Sequence, residues 1–279
     1  MHLEQLQQKL EIDLVMSYPL HTEITGTGDP LVLIHGMGSA STAWKPIRSQ
    51  LNKDFTVITV DLPGHGKTPY SKGQPMDPHT LGTYVLEQLS TEGIDRFHLA
   101  GNSLGGWVAM EMASYTPERV RSLVGIAPAG LWLNPYNARY PGTAMARFLA
   151  RYTAKLAPTA LHFEKARALG FADVSPRWKA LSYEICLDAT LAMSSSDGYY
   201  PAWDGMLMKR FDSFIPESIP TTIIFGDTDR TLPATTCQER SVAPSHAKWI
   251  IFPETGHAPM WDAPLDVIDE IKKVSLLAS

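Results

Sequence analysis

HLAGNSLGGW, residues 98–107, sets a single serine among glycines, directly after an apolar run and directly before a helical pattern. In LGGWVAMEMASY, which follows, Leu104, Val108, Met112 and Tyr115 recur at helical spacing. Gly101-Asn102-Ser103-Leu104-Gly105 therefore fits G-x-S-x-G in the context that gives this pattern meaning: strand, sharp turn, helix. Such a turn forces the serine into a strained backbone conformation that only small neighbours tolerate, and it exposes the hydroxyl at the carboxyl end of a sheet. Ser103 is expected to be a nucleophile, provided that the rest of the chain supplies a base, an acid and an oxyanion site.

Outward from this turn, short apolar runs alternate with helical patterns. LVLIHG (31–36), FTVITVD (55–61), FHLAGNS (97–103) and VRSLVGIAPAG (120–130) read as buried strands, and STAWKPIRSQLN (41–52) reads as a helix. Alternation of this kind predicts a parallel sheet covered by helices on both faces. It stops at Leu131. From Leu131 to Ile215 no strand is legible, and the segment is rich in aromatics, Met and Ala. Within it Met145, Phe148, Leu149, Tyr152 and Leu156 form one helical stripe, which marks the packing face of an amphipathic helix. Arg147, Arg151 and Lys155 form a second face, expected to be solvated rather than set on a membrane. After Pro216 the rhythm resumes with TTIIFGD as a strand, ATTCQERSVA as a helix, AKWIIFPE as a strand and PLDVIDEIKKVSLLA as a C-terminal helix. Two segments, 1–130 and 216–279, are thus expected to form one α/β core, with 131–215 a helical cap inserted after the fourth of the strands quoted.

The chain has 279 residues, of which 44% are hydrophobic and 19% charged, enough for a sizeable core. A net charge of −5 without a basic stripe argues against nucleic acid as a partner. No apolar run is long enough to span a bilayer. The N-terminal MHLEQLQQKLEIDL lacks the basic start and apolar middle of a signal peptide, and Cys186 and Cys237 lack metal-ligand spacing. A cytoplasmic protein without a bound metal is the expectation.

A serine hydroxyl needs a base to take its proton as it attacks. Of nine histidines, His2, His21 and His79 read as surface or strand-edge residues, and His98 lies inside a strand. His162 and His246 have no motif around them. His257, in PETGHAPMWDAP, follows the last strand and precedes the last helix, at the same sheet edge as Ser103, and is the expected base. The base needs a carboxylate to set its tautomer. VRSLVGIAPAG ends without an acid, whereas TTIIFG runs into Asp227-Thr228-Asp229, which offers two. For developing charge, Leu104 N–H is one expected donor, and Met37 N–H, in His35-Gly36-Met37-Gly38, is the second. His35 is expected to brace that loop.

Taken together, HGMG (35–38), DLPGHGKT (61–68), GNSLGG (101–106), GDTDRTLP (226–233) and GHAPMWDAP (256–264) resemble the α/β-hydrolase superfamily along nearly the whole chain. The order Ser, Asp, His is the one that fold uses. Residues 226–233 resemble its G-x-x-D-x-x-x-P arrangement, which places the acid at Asp229 and leaves Asp227 to brace the turn. Glycines and His65 of DLPGHGKT are expected to be structural. The resemblance implies hydrolysis through an acyl-enzyme with no metal or organic cofactor, acting on a small-molecule substrate and water. A serine nucleophile argues against the haloalkane dehalogenase and epoxide hydrolase branches, which attack with a carboxylate. Carboxylic esters of apolar or aromatic groups are the leading substrate class, in a pocket expected to include Trp132, Trp203, Met206 and Trp261. GNSLGG and Trp261, four residues after the base, also look similar to the meta-cleavage carbon–carbon hydrolases. Those require a pocket arginine, and Arg167, Arg177 and Arg210 have no diagnostic neighbour. Lactone, thioester or amide hydrolysis is compatible with the same motifs, and so is a small-molecule receptor with slow hydrolysis.

Overall fold

A computed structural model describes residues 19–139 and 142–278. The N-terminal stretch considered above, with His2, lies outside them. Seven strands form a single sheet in the order β1-β3-β2-β4-β5-β6-β7. They are β1 (Thr22–Gly26), β2 (Asp29–Ile34), β3 (Phe55–Val60), β4 (Phe97–Asn102), β5 (Val120–Ile126), β6 (Thr221–Gly226) and β7 (Lys248–Phe252). From β3 to β7 every pairing is parallel, while β1 runs antiparallel along the β3 edge. The runs LVLI and TTIIFG are buried throughout, as expected of strands covered on both faces. β1, TEITG, carries no apolar run and is half exposed; an edge strand needs to bury little, so its pattern is not legible in the sequence.

Helices α1 (Lys45–Leu51), α2 (Pro78–Thr91), α3 (Leu104–Tyr115) and α10 (Pro264–Leu276) flank the sheet. α2 is an addition to the elements expected, although its start is written in the sequence: Asp77 accepts hydrogen bonds from Thr80 N and Oγ1, and Pro78 opens the first turn. ATTCQERSVA is a helix only over α9 (Ala234–Cys237). Beyond it the Glu239 carboxylate accepts from Ser241 N and Oγ, local bonds that compete with helix continuation.

Among the described residues between β5 and β6 there is no strand; the segment holds α4 (Ala144–Thr153), α5 (Ala157–Ala160), α6 (Glu164–Phe171), α7 (Tyr183–Ser195) and α8 (Tyr199–Met206). It has a small core of its own, made by Ala157, Leu161, Phe171, Leu181 and Cys186. Its two ends instead join the main core, through Leu131, Trp132, Trp203, Met206, Phe211 and Ile215.

The orientation of α4 reverses the expectation. Met145, Phe148, Tyr152 and Leu156 are 66%, 55%, 72% and 63% exposed, whereas Arg147 is only 4% exposed. Ala144, Ala150, Ala154 and Ala157 share the inward side with Arg147, and their small side chains let α4 lie close against α7. Arg147 donates to the carbonyls of Ser194 (2.8 Å) and Ser196 (3.1 Å), which end α7, so its buried charge is spent on carbonyls left free by a helix terminus. Arg151, expected on the same solvated face, is exposed and pairs with Asp197.

Candidate active site

The sheet register assembles the site. Ile34 of β2 lies opposite Gly101 of β4, so the residues that follow, Gly36 and Ser103, come side by side. A Cβ built on Gly36 would sit 3.0 Å from Ser103 Cβ. On the other side Asn102 lies opposite Ile126 of β5, and Ser103 N donates to Ile126 O at 3.0 Å. Ser103 has φ 57° and ψ −119°, a strained conformation held by its carbonyl accepting from Gly106, Trp107 and Ala129 N–H. Gly101 and Gly105 are required here. A side chain on the first would strike the Gly105 backbone, and one on the second the Ile34 and His35 carbonyls.

Asp229 and His257 meet at the ends of β6 and β7. Asp229 Oδ2 lies 2.9 Å from His257 Nδ1, and the carboxylate is fully buried. Its other oxygen accepts from Thr231 N (2.9 Å) and Leu232 N (2.8 Å), so the group is anchored before it reaches the ring. Asp227 is exposed and accepts from Thr255 N at 3.2 Å, bracing the turn between the two loops. A proton carried on Nδ1 and shared with this carboxylate would leave Nε2 free to accept a hydrogen bond. Ser103 Oγ and the His257 ring are not hydrogen-bonded to each other among the described residues; such contacts often tighten only with substrate bound.

Three further bonds fix the backbone around His257. Asn102 Nδ2 donates to His257 O at 3.1 Å, tying the serine turn to the histidine loop. His257 N donates to Val174 O at 2.8 Å, and Gly256 N to Asp262 Oδ2 at 2.8 Å. Ser175 Oγ donates to the other Asp262 oxygen, and Arg177 to its carbonyl. Burial pushes the Asp262 carboxyl above its ordinary range. Residues 174–177 of the inserted segment thus hold the histidine loop directly. Nothing in the local sequence marks Val174 or Ser175, because each acts through partners distant in the chain; Asp262 lies within GHAPMWDAP but shows its role only through its bond to Gly256 N.

The loop after β2 is braced as expected. His35 is buried, Nδ1 donating to Gly36 O (2.8 Å) and Nε2 accepting from Leu62 N (3.1 Å), which makes it a neutral ring. Burial holds its pKa low. Neither Met37 N–H nor Leu104 N–H donates a backbone hydrogen bond among the described residues. Gly38, at φ +72°, lies under Met193 and Tyr199; a Cβ there would meet Met193 Sδ at 2.6 Å and Tyr199 Cδ2 at 3.0 Å. Met193 and Tyr199 carry no motif, and their place beside the loop appears only in the folded chain.

Trp132, Trp203 and Met206 lie in the core rather than on an open wall. Edge contacts run from Trp107 through Trp132 to Tyr136, which packs on Trp203. The indoles of Trp132 and Trp203 are both satisfied, Trp132 on Lys209 O (2.8 Å) and Trp203 on Ala138 O (3.1 Å). Trp261 donates to Ala43 O at 3.0 Å and packs edge-on to Phe171, between the core and the inserted helices. Two surface cavities, of about 490 and 480 Å³, are lined by neither Ser103, Asp229 nor His257.

His65 is buried beside His35, its ring centroid 5.3 Å away, and burial drives its pKa down to about 3. Between about pH 6.5 and 3 the unfolded chain therefore binds a proton that the folded chain refuses. Stability is complete above the unfolded value and is lost as pH falls through this window, by up to about 1.4 kcal/mol per pH unit. His98, with a pKa lowered to about 4 by burial, adds to the same slope. Urea unfolding at pH 7, 5.5 and 4.5 is expected to show falling midpoints, with a shallower fall for His65→Asn. An unchanged slope in that variant would remove His65 from the balance.

The chain belongs to the alpha/beta hydrolase family, whose model matches residues 31–270. It is 29% identical over 266 residues to a pimeloyl-[acyl-carrier protein] methyl ester esterase of Legionella pneumophila, covering 91% of this chain and 99% of that one. Among solved structures it is similar to a thermophilic esterase from Thermogutta terrifontis, with TM-score 0.70, 21% identity and coverage of 93% and 94% of the two chains. The enol-lactonase of Burkholderia xenovorans gives TM-score 0.66 at 20% identity, covering 92% and 95%. No helix among the described residues is long and apolar enough to cross a membrane.

Proposed function

We propose that this hydrolase cleaves carboxylic esters of apolar or aromatic groups through an acyl-enzyme on Ser103, with His257 as base and Asp229 as its carboxylate partner. The observation that carries this reading is the buried Asp229 carboxylate, pinned by two backbone N–H groups and 2.9 Å from His257 Nδ1, at the sheet edge where Ser103 stands on a strained turn. The name of the esterase relative supports an ester as the scissile bond.

Ser103 Oγ adds to the ester carbonyl as its proton passes to His257 Nε2. The carbonyl oxygen becomes an oxyanion held by Met37 and Leu104 N–H, the latter at the positive end of α3. Collapse breaks the bond to the alkoxy group, which leaves as an alcohol with the proton from His257. Water then gives its proton to His257 and attacks the acyl-enzyme, releasing the acid and restoring Ser103. No metal or organic cofactor is required. The substrate's apolar part lies against Met193 of the cap, residues 131–215, with Tyr199, Trp132, Trp203 and Met206 packed behind as support and Trp261 behind the base.

A panel of p-nitrophenyl esters of graded chain length, run beside a lactone and a dienoate ketone, tests the assignment. Esters are expected to turn over at about one per second or faster. Turnover of the lactone or dienoate alone would replace the ester reading, and turnover of none would favour a receptor.

A further inference from the structure

The outward stripe of α4 is unlike the rest of the surface. Met145, Phe148, Leu149, Tyr152 and Leu156 fall within one arc of the helix and its following turn, directly opposite the buried Arg147. Phe148 and Tyr152 pack on each other, ring centroids 4.7 Å apart. A contiguous row of large apolar groups aimed at solvent marks a contact site.

Charge decides what it contacts. Residues 139–180 contain eight Lys and Arg against two Asp and Glu; of the eight, Arg147 is buried, and Arg151 and Arg177 pair with Asp197 and Glu254 from outside this stretch. The remainder of the chain holds 16 basic and 27 acidic residues, a surplus of eleven negative charges. Lys155, beside the stripe, is exposed and without an ion pair among the described residues, and so is Lys165 in α6. In a two-fold contact between copies through the stripe, the unpaired Lys155 of both chains would come close together, so self-association is opposed. An acidic protein would answer the cations but leave the apolar row unexplained. An anionic bilayer answers both. It accepts the apolar row between its acyl chains and the cations among its phosphates, and it repels the acidic remainder, which turns this face toward the membrane.

We propose that α4 is a docking surface for anionic phospholipid bilayers. Its position suits delivery of substrate. On its inner side Arg147 holds the end of α7, and its guanidinium stands 6.0 Å from the Tyr199 ring, which covers Gly38, two residues after the Gly36 that abuts Ser103. The docked face and the candidate active site are thus separated by the thickness of the cap.

Flotation of the full chain with vesicles of phosphatidylcholine and phosphatidylglycerol in a two-to-one ratio tests this, with phosphatidylcholine alone as the comparison. The wild type is expected to float with the mixed vesicles and to be released by salt. Phe148→Glu combined with Tyr152→Glu is expected to lower binding about tenfold or more, and Lys155→Ala about fivefold. All three positions are exposed, and hydrolysis of a short soluble ester is expected to stay unchanged in these variants. That keeps the result independent of the ester assignment. Absence of flotation, or flotation indifferent to the variants, would overturn the proposal. A lipid-free dimer in sedimentation velocity that Phe148→Glu dissociates, without flotation, would assign the face to a second copy. Retention by an acidic polypeptide without flotation would assign it to an acidic protein.

Discussion

Ser103→Ala is expected to lose essentially all ester turnover, with kcat lower by up to about a million-fold, the scale seen when a triad serine is removed elsewhere. Covalent labelling by a fluorophosphonate should vanish with it. Two features make the effect specific. The side chain is small and partly exposed, so its removal opens no core cavity, and the turn is held by backbone bonds from Ile126, Gly106, Trp107 and Ala129. The melting temperature should therefore stay close to that of the wild type. Residual hydrolysis above the uncatalysed rate is compatible with the remaining Met37 and Leu104 N–H donors. Labelling that persisted undiminished would remove the serine turn from the mechanism.

Asp229→Asn is expected to be the second largest effect, a loss in kcat of up to about ten-thousand-fold. The new amide can keep its oxygen on Thr231 and Leu232 N–H, but it then presents an N–H donor to His257. The ring must turn its Nδ1 lone pair toward that donor, and Nε2 carries the proton when it should accept one. Asp227→Asn provides the contrast. Its carboxylate touches Thr255 N and no part of the imidazole, so the cost should fall on stability, about 1 kcal/mol, and little on rate. Measuring kcat and melting temperature for both variants separates the roles. An inactive Asp227→Asn beside an active Asp229→Asn would reverse the assignment.

The geometry of the candidate site was legible where local backbone chemistry imposed the residues. Gly101 and Gly105 are demanded by the close crossing of β4, α3 and the β2 loop, and the spacing from Asp229 to Pro233 reflects a loop that turns back toward His257. The edge strand β1 was not legible, because a strand that buries little leaves little pattern. For α4 the periodicity was right and its direction wrong. Period alone does not say which face turns inward; the carbonyls of Ser194 and Ser196, more than forty residues on, attract Arg147 and leave the apolar row outside. In the same way, aromatic composition did not separate Trp132 and Trp203, which pack the core, from Tyr199, which covers the loop beside Ser103. Two supports of the histidine loop, Val174 and Ser175, make their contacts only once residues 131–215 fold back onto it.

Rapid-quench mass spectrometry during turnover of p-nitrophenyl acetate tests the acyl-enzyme most directly. One acetyl group per chain, carried on the peptide that contains Ser103 and accumulating before steady state in Asp229→Asn or at low pH where deacylation slows, is the expected result. Steady turnover with no adduct, or with the acetyl group on another residue, would contradict nucleophilic attack by Ser103.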